Sequence, residues 1–263
     1  MNDCFVMKCG GSTLAELPDA FFEELGSLQA EGMIPVIVHG GGPAISETLA
    51  KLDIPSEFVG GLRKTSEAVL DVVEMVLAGR INKEIVRRIQ SSGATALGVS
   101  GVDGMLIVAE PVPNADEIGF VGDVVDVQAS LVRGIVDMGY MPVIAPIGID
   151  RAGQRYNINA DTAAGAVASH IGAERMIVVT DVPGILRTAD NGEKQVMPAV
   201  TREEIEAMID SGDIYGGMIP KVRAAMKCLH GQVQEVVIVD GKVPGILRQV
   251  LDGAAVGTRI VKE

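Results

Sequence analysis

Two glycine-rich segments of the sequence have residue types that could hold an anionic group. Lys8-Cys9-Gly10-Gly11 and His39-Gly40-Gly41-Gly42-Pro43 each directly follow a short apolar run. Consecutive glycines allow backbone N–H groups to converge on an oxyanion, and a helix that begins at the proline would add positive potential. The alternatives are a tight turn beside a lysine that reaches solvent for the first segment, and a close strand-to-helix crossing for the second.

A polar turn and a second lysine could contribute to the same chemistry. Asn159 and Asp161 have the residue types of a helix N-cap and first turn, which is an ordinary structural role. In a functional role, Asp161 would orient nearby lysines and Asn157 would bind substrate. Lys221 follows a glycine pair in the first turn of a predicted helix, where it opposes the helix dipole unless an anion lies there. We therefore predict that Lys8 and Lys221 face the same phosphates.

Arg63 and His39 each allow a functional and a structural role. Arg63 could hold a carboxylate with two N–H groups, or it could form a surface ion pair. His39 stands alone at the end of a predicted strand, where a histidine is more often structural than catalytic. The sequence lacks a Walker motif and the third glycine of G-x-G-x-x-G, which disfavours a P-loop NTPase and a dinucleotide dehydrogenase.

The composition limits the class of partner and the compartment. The formal net charge is -13 over 263 residues and no dense block of Lys and Arg occurs, which argues against nucleic acid or an anionic membrane as a partner. The three cysteines form no C-x-x-C pair, so neither a disulfide framework nor a zinc knuckle is indicated. No apolar stretch is long enough to span a bilayer. We expect a cytoplasmic protein that is neither exported nor membrane-spanning.

The elements that must position these residues alternate in type along the chain. Short β-branched runs alternate with amphipathic segments, which predicts a parallel sheet with helices on both faces. The predicted strands are residues 4–8, 35–39, 94–99, 142–145, 176–180, 235–239 and 258–261. The predicted helices are residues 19–30, 43–51, 66–90, 127–138, 160–170, 201–211, 218–230 and 244–251. Ligands of such sheets bind outside the carboxyl ends of the strands, near a topological switch point.

Two segments interrupt this alternation. Residues 103–122 and 182–198 are rich in Gly, Pro, Asp and Asn, and they predict hairpins or excursions beyond the sheet. The second segment could lie beside a nucleotide. No linker separates independent domains, but a boundary near Asn157 would divide the chain into two lobes, 1–156 and 157–263, around one cleft.

Six motifs, taken in order, resemble the amino-acid kinase family over essentially the whole chain. They are KCGG at Lys8, HGGGP at His39, GLR at Gly61, NINADTAA at Asn157, VVTDVPGI at Val178 and GGMIPK at Gly216. The combination of HGGGP, GLR and NINAD is similar to the branch of the family that phosphorylates N-acetylglutamate. This resemblance implies a three-layer αβα sandwich with a mainly parallel, about eight-stranded central sheet.

The resemblance also implies a reaction. It is the ATP-dependent phosphorylation of the side-chain carboxylate of N-acetyl-L-glutamate to N-acetyl-L-glutamyl 5-phosphate, in arginine biosynthesis. Lobe 1–156 would bind the acceptor and form the dimer, and lobe 157–263 would bind MgATP, with Mg²⁺ held mainly by the ATP phosphates. A carboxylate acceptor is already ionised at pH 7 and needs no general base. The site must instead offset repulsion between two anions with lysines, N–H groups and Mg²⁺.

Roles for individual residues follow from the same resemblance. Lys8 and Lys221 would stabilise the transferring phosphoryl group, Asp161 would hold both lysines, and Gly11 and Gly41 would donate N–H groups to it. The acceptor would contact Gly41, Gly42, Arg63, Asn157 and Asn159, with its α-carboxylate on Arg63. The nucleotide would be bordered by Lys8, Gly10, Gly11, Thr180, Asp181, Gly184, Gly216, Gly217, Met218 and Lys221.

The resemblance carries an expectation about assembly. Arginine-inhibited members of the family have an additional N-terminal helix that links dimers into a hexameric ring. This chain begins only three residues before its first predicted strand. We therefore expect a homodimer that is insensitive to arginine, with dimer contacts through residues 66–90.

Two alternatives stay open at this point. A kinase of the same family could act on another acid, such as carrier-bound α-aminoadipate, and would differ in its contacts to the far end of the acceptor. A non-catalytic sensor could bind nucleotide or amino acid on the same scaffold. Such a sensor would have no reason to retain Lys8, Asp161 and Lys221 together.

Overall fold

An eight-stranded sheet forms the centre of the protein. The computed structural model describes residues 4–188, 193–229 and 231–262. From one edge to the other, the strands are β14 (Ala199–Thr201), β16 (Thr258–Val261), β15 (Glu235–Asp240), β11 (Arg175–Thr180), β1 (Cys4–Cys9), β2 (Ile34–His39), β8 (Met141–Ala145) and β5 (Ala96–Ser100). Neighbouring strands are parallel except for β15 and β16, which run antiparallel. The predicted fold class is confirmed.

Helices connect the strands and bury their apolar faces against them. In chain order they are α1 (Gly11–Glu16), α2 (Asp19–Ala30), α3 (Gly42–Lys51), α4 (Glu67–Glu74), α5 (Asn82–Ser91), α6 (Ala115–Ile118), α7 (Ala129–Asp137), α8 (Ala160–Ile171), α9 (Arg202–Ser211), α10 (Met218–Cys228) and α11 (Ile246–Leu251). Helices α2, α5, α7, α8, α10 and α11 contact strands of the central sheet. One hydrophobic core runs through the sheet and these helices. Helix α10 ends at Cys228, and residue 230 of the predicted helix 218–230 lies outside the described residues.

The helix predicted over residues 66–90 is divided in the structure. It begins with α4, where the Ser66 hydroxyl accepts a hydrogen bond from the Val69 N–H at 3.4 Å. The backbone then widens into a π-helical segment, Met75–Ile81, before α5 continues to Ser91. A π-helical turn pairs each N–H with the carbonyl five residues back, and its apolar spacing resembles that of an amphipathic α-helix. The sequence pattern therefore predicts the helix but not its widened turn.

A small closed barrel lies beside the sheet and was not predicted. Its strands, in order around the barrel, are β10 (Arg155–Ile158), β7 (Val121–Val127), β6 (Ile107–Pro111) and β9 (Ile147–Ile149). The antiparallel pair of β6 and β7 confirms a hairpin in the segment 103–122. Because β7 extends to Val127, the helix predicted over 127–138 begins only at Ala129.

Two further hairpins lie outside the central sheet. Strands β12 (Leu186–Thr188) and β13 (Lys194–Val196) pair antiparallel, which confirms a hairpin within 182–198, and residues 189–192 lie outside the described residues. Strands β3 (Phe58–Val59) and β4 (Leu62–Arg63) form a second, very short pair.

Strand register places the carboxyl ends of three parallel strands side by side. Cys9, the last residue of β1, lies opposite His39 of β2 on one side and Val179 of β11 on the other. The chain leaves β1 toward β2 and later returns to β11 on the opposite side, so the direction of strand order changes at β1. This is the topological switch point at which parallel sheets bind their ligands. Within the described part of the chain, no helix has the length and apolar character needed to cross a membrane.

Candidate active site

A cleft of about 250 Å³ opens at the carboxyl ends of β1 and β2. Its lining combines both glycine turns, the polar turn before α8, and the β3–β4 hairpin. Of the predicted site residues, those that line it are Lys8, Gly10, Gly11, Gly41, Gly42, Arg63, Asn157, Asn159 and Asp161. The structure thus brings four separate sequence segments into one site.

The two glycine turns touch through their backbones. A Cβ on Gly11 would lie 2.5 Å from the Cα of Gly41 and 2.6 Å from its nitrogen, which is closer than atoms of real side chains approach backbone. The Gly40 N–H also donates to the carbonyl of Cys9 at 3.0 Å. Among the described residues, nothing accepts a hydrogen bond from the Gly41 N–H. The two turns therefore form one unit, and the Gly41 N–H at its centre is available to donate a hydrogen bond.

Lys8 and Asp161 form an ion pair in the wall of the cleft. The Lys8 Nζ lies 2.6 Å from the Asp161 Oδ1, and each side chain is 13% exposed. Burial would lower the pKa of the Lys8 ammonium, but the attraction of the Asp161 carboxylate outweighs burial and raises that pKa above its ordinary value. Asp161 stands in the first turn of α8, where the helix dipole favours a carboxylate. The lysine is therefore a fixed, charged group at neutral pH.

Arg63 is a buried cation whose contacts are neutral. It is 7% exposed, and its Nη2 donates to the Ser46 hydroxyl at 2.8 Å and to the Gly42 carbonyl at 3.0 Å, while Nη1 donates to the Ser56 hydroxyl. The guanidinium carbon also lies 4.6 Å from the centre of the Phe58 ring. Burial lowers the pKa of the Arg63 guanidinium. No carboxylate within residues 4–188, 193–229 and 231–262 lies within 4.0 Å of it.

The polar turn before α8 is largely occupied by structural hydrogen bonds. Asn157 lies on β10, and its Nδ2 donates to the Thr65 hydroxyl at 3.1 Å, which in turn donates to the carbonyl of Arg63 at 2.7 Å. The Asn159 Oδ1 caps α8 by accepting from the Asp161 N–H at 3.0 Å. Asn159 therefore combines the expected capping role with a place in the cleft lining.

A π-helical segment supports the second glycine turn from behind. A Cβ on Gly41 would lie 2.5 Å from both the Leu77 Cδ2 and the Ile81 Cδ1. Both side chains belong to Met75–Ile81, and both are buried. Unusual helical turns of this kind often occur next to functional sites. The widened turn thus packs directly against the loop that carries the free N–H.

Of the residues expected to border a nucleotide, Lys8, Gly10 and Gly11 line this cleft, and the others form a second group outside it. These others lie at the end of β11, in the segment that follows it, and around the start of α10, and they are Thr180, Asp181, Gly184, Gly216, Gly217, Met218 and Lys221. The Lys221 Nζ lies 2.6 Å from the Asp181 Oδ1. Asp161 was expected to hold both lysines, but in the structure it pairs with Lys8 while Asp181 pairs with Lys221. Asp181, which directly follows β11, lies within ion-pair distance of Lys221, whereas the Asp161 carboxylate already pairs with Lys8.

Comparisons with known proteins show the family of the chain. The profile described as the amino acid kinase family matches residues 3–240. The chain belongs to the amino acid kinase family. An acetylglutamate kinase of Geobacillus kaustophilus is 52% identical to this kinase over 242 residues, 92% of each chain. One from Halalkalibacterium halodurans is 47% identical over 263 residues, 100% of this chain and 98% of the relative. A crystal structure of a Streptococcus mutans UA159 protein shares 28% identity, with a TM-score of 0.83 and full coverage of both chains.

Several residues that shape the site of this amino acid kinase were missed from its sequence. Ser46 and Ser56 hold the Arg63 guanidinium, and Leu77 and Ile81 support Gly41. Thr65 links Arg63 to the strand that carries Asn157 and is completely buried. Thr65, two residues after the candidate arginine, was the one local signal, since the other contacts join residues at least seven positions apart in the sequence.

Proposed function

We propose that this amino acid kinase phosphorylates the side-chain carboxylate of N-acetyl-L-glutamate with MgATP as donor. The product would be N-acetyl-L-glutamyl 5-phosphate, an intermediate of arginine biosynthesis. The relatives named acetylglutamate kinase support the reaction. The charge and size of the cleft support the acceptor.

The observation that carries the acceptor assignment is the buried charge of Arg63. A buried cation is costly unless an anion compensates it. Because the contacts of Arg63 are hydroxyls and a carbonyl, the compensating anion would be the α-carboxylate of the substrate, held by charge-assisted hydrogen bonds. A cleft of about 250 Å³ is smaller than the roughly 300–1,000 Å³ of sites for drug-sized ligands, as suits a small amino-acid derivative.

The reaction itself needs positioning and charge more than proton transfer. An oxygen of the ionised acceptor carboxylate would attack the γ-phosphorus of ATP, and the bond from that phosphorus to the β,γ-bridging oxygen would break, releasing ADP. The acceptor brings no proton that must be removed. Lys8 and the N–H groups of Gly11 and Gly41 would stabilise the negative charge on the equatorial oxygens.

The nucleotide side of the reaction would be held by the second group of residues. Asp181 and Lys221 lie at the carboxyl end of β11, the strand next to β1. We assign the triphosphate to this edge, with Lys221 leaving Asp181 to reach the phosphoryl group. Mg²⁺ would be held mainly by the ATP phosphates and would offset part of their negative charge.

The two halves of the sheet support a division of labour between lobes. Strands β1, β2, β8 and β5 come from residues 1–156, and strands β11, β15, β16 and β14 come from residues 157–263. The first lobe would bind the acceptor and the second MgATP. We also propose a cytoplasmic homodimer that packs through residues 66–90, where Met75 leaves 58% of its surface exposed. Light scattering tests this assembly, and a monomer or a hexameric ring would contradict it.

A trapping assay tests the reaction. The protein is incubated with MgATP, hydroxylamine and one acid at a time, because an acyl phosphate reacts with hydroxylamine to give a coloured hydroxamate. We expect hydroxamate with N-acetyl-L-glutamate, and much less with L-glutamate, L-aspartate or N-acetyl-α-aminoadipate. Absence of hydroxamate with N-acetyl-L-glutamate would contradict the proposal.

A pair of variants tests the acceptor assignment. Arg63→Met should raise the KM for N-acetyl-L-glutamate by about 10-fold to 100-fold, as expected for losing about 1.5–3 kcal/mol of hydrogen bonding to a charged group, and leave the KM for MgATP nearly unchanged. Lys64→Met is the matched control, because Lys64 is the adjacent cation but is half exposed and pairs with Glu57. An unchanged acceptor KM in Arg63→Met would assign the α-carboxylate to another residue.

A further inference from the structure

His39 lies directly beneath the glycine turn and does not line the cleft. It is the last residue of β2, its side chain is completely buried, and its ring contacts two polar groups. The Nδ1 atom lies 3.1 Å from the carbonyl oxygen of Gly40, and the Nε2 atom lies 3.3 Å from the Nδ2 of Asn82. A histidine in this place has no access to substrate.

The partners of the ring determine which nitrogen carries the proton. A carbonyl oxygen only accepts hydrogen bonds, so Nδ1 must be the protonated nitrogen that donates to Gly40. The Asn82 amide is oriented independently, because its Nδ2 donates to the Val143 carbonyl at 2.8 Å and lies 3.3 Å from the Val99 carbonyl, while its Oδ1 accepts from the Lys83 ammonium at 3.0 Å. Asn82 therefore presents an N–H donor and no acceptor to Nε2, which fits an unprotonated Nε2 and agrees with the proton on Nδ1.

The hydrogen bond to Gly40 also determines the direction of the next N–H. The carbonyl of Gly40 and the N–H of Gly41 belong to one planar trans peptide and point in opposite directions. The Gly40 N–H is held by the Cys9 carbonyl at 3.0 Å, and the Gly41 carbonyl accepts from the Ile45 N–H at 3.0 Å. With both flanking peptides fixed, the ring of His39 fixes the peptide between them.

We propose that His39 is a positioning residue for phosphoryl transfer, because its Nδ1–H holds the Gly40 carbonyl and thereby aims the Gly41 N–H into the cleft. This inference rests on the proposed function, in which the Gly41 N–H binds the phosphoryl oxygens. Burial agrees with a neutral ring, since it lowers the pKa of His39 to about 4. His39 then acts at neutral pH as a hydrogen-bond donor of fixed tautomer, not as an acid or base.

Two amide variants separate the two ring nitrogens. The side-chain nitrogen of Asn is as many bonds from Cβ as Nδ1 is, and that of Gln is as many bonds from Cβ as Nε2 is. His39→Asn should retain the donor to Gly40 and keep kcat within about threefold, whereas His39→Gln should lose about 10-fold to 100-fold in kcat, approaching the roughly 10²–10³-fold cost of losing a whole oxyanion donor. KM for both substrates should change little in either variant, because their binding groups are untouched.

Stability is measured in parallel to exclude a purely structural effect. Ile89→Val is the control, since Ile89 is a fully buried core residue on α5, the helix that also carries Asn82. It should lower the melting temperature without lowering kcat. Equal kcat losses in His39→Asn and His39→Gln, or losses that follow the melting temperature in all three variants, would overturn the proposal.

A spectroscopic measurement on the active protein tests the tautomer directly. Nitrogen-15 shifts of labelled histidine distinguish Nδ1–H, Nε2–H and doubly protonated rings, and His39→Asn identifies the His39 signals among the three histidines. We expect the Nδ1–H form at pH 7, and an Nε2–H or doubly protonated ring would overturn the inference. If the wild-type protein makes no hydroxamate, the proposed function fails while the tautomer result still stands. If it does, and His39→Gln is as active as His39→Asn, only the positioning role fails.

Discussion

Gly11 and Gly41 pack backbone against backbone, so that a Cβ on Gly11 would lie 2.5 Å from the Gly41 Cα. The two residues belong to turns that follow neighbouring parallel strands, and each strand end alone would be an ordinary glycine turn. Their contact places the free N–H of Gly41 at the junction. The oxyanion site is therefore a property of the pair.

Gly11→Ala should damage both activity and folding. The new methyl group would meet backbone atoms at 2.5–2.6 Å, and backbone cannot rotate away as a side chain can. We expect kcat to fall by about 10²-fold or more, because the displaced Gly41 N–H is a transition-state donor, together with a destabilisation of about 1–3 kcal/mol. Gly134→Ala in α7 is the control, since a Cβ there has open space. Steady-state kinetics and urea denaturation of both variants check this, and a fully active Gly11→Ala protein would contradict it.

Asp161→Asn should change the ionisation of Lys8. Burial lowers the pKa of Lys8 and the Asp161 carboxylate raises it, so that removing the carboxylate leaves burial alone and the pKa falls. The alkaline limb of the kcat profile should move to lower pH. Because its pKa is raised in the folded state, the stability that Lys8 contributes is present below pH 10.5 and is lost as pH rises through the folded pKa.

The same variant should lose up to about 3–5 kcal/mol of stability, the usual cost of breaking a buried ion pair. Asp71→Asn is the control, because the Asp71 side chain is 56% exposed and its pair with Arg155 should contribute no more than about 1 kcal/mol. If the pH profile of Asp161→Asn matched that of Asp71→Asn, Asp161 would have no effect on the charge of Lys8.

Lys221→Ala should lower kcat with little effect on stability. Its pair with Asp181 is partly exposed, at 30% and 49%, and pairs of that kind stabilise a fold only weakly. The loss in kcat should be on the order of 10²–10³-fold if Lys221 reaches the phosphoryl group. Lys227→Ala tests for a general effect of helix charge, since Lys227 is an exposed lysine near the other end of α10. A Lys221→Ala enzyme with near-normal kcat would exclude this lysine from the reaction.

His39 should make the folded state less stable as the pH falls. Burial of the ring lowers the pKa of His39 from its ordinary value of 6.5 to about 4 in the folded protein. Between pH 6.5 and pH 4, the unfolded chain therefore binds a proton at His39 that the folded protein does not bind. The free energy of unfolding falls by up to about 3 kcal/mol as the pH decreases across this range. Urea denaturation at pH 7.5 and pH 4.5 should show a smaller loss for His39→Asn than for the wild type. Glu24 cancels in this comparison, because burial raises its pKa equally in both proteins.

Most strands of the central sheet, and the segments that carry the candidate site residues, could be predicted from the sequence. Strand β2 is buried along its whole length, and such apolar runs followed directly by glycines indicate both a buried parallel strand and the turn at its end. Lys8 and Lys221 were recognised because a lysine is unusual at the end of an apolar strand and in the first turn of a helix, whereas Asp161 is ordinary in a first turn and its role came from the family resemblance. Each of these patterns lies within a few consecutive residues, so it can be recognised without knowledge of the fold.

The remaining features depend on contacts between distant segments. The barrel closes by pairing β10 with β7, and Asn157 faces Val121 in that pair. The partner of Lys221 depends on which carboxylate lies nearer after folding, and the widened turn at Met75–Ile81 has the apolar spacing of an ordinary helix. The spacing of residue types along the chain does not predict these contacts or the widened turn.

The parallel register of β1 and β2 has a consequence for folding. Side chains alternate between the two faces of a strand, so a slip of one residue would turn Lys8 away from Asp161. The same slip would separate Gly11 from Gly41. A chain that adopted the slipped register would be compact yet would have no oxyanion site at all. The activity recovered after refolding should therefore be proportional to the fraction of molecules with the native register of β1 and β2. Partial recovery would mean that fewer molecules are active, not that each molecule has a weaker site.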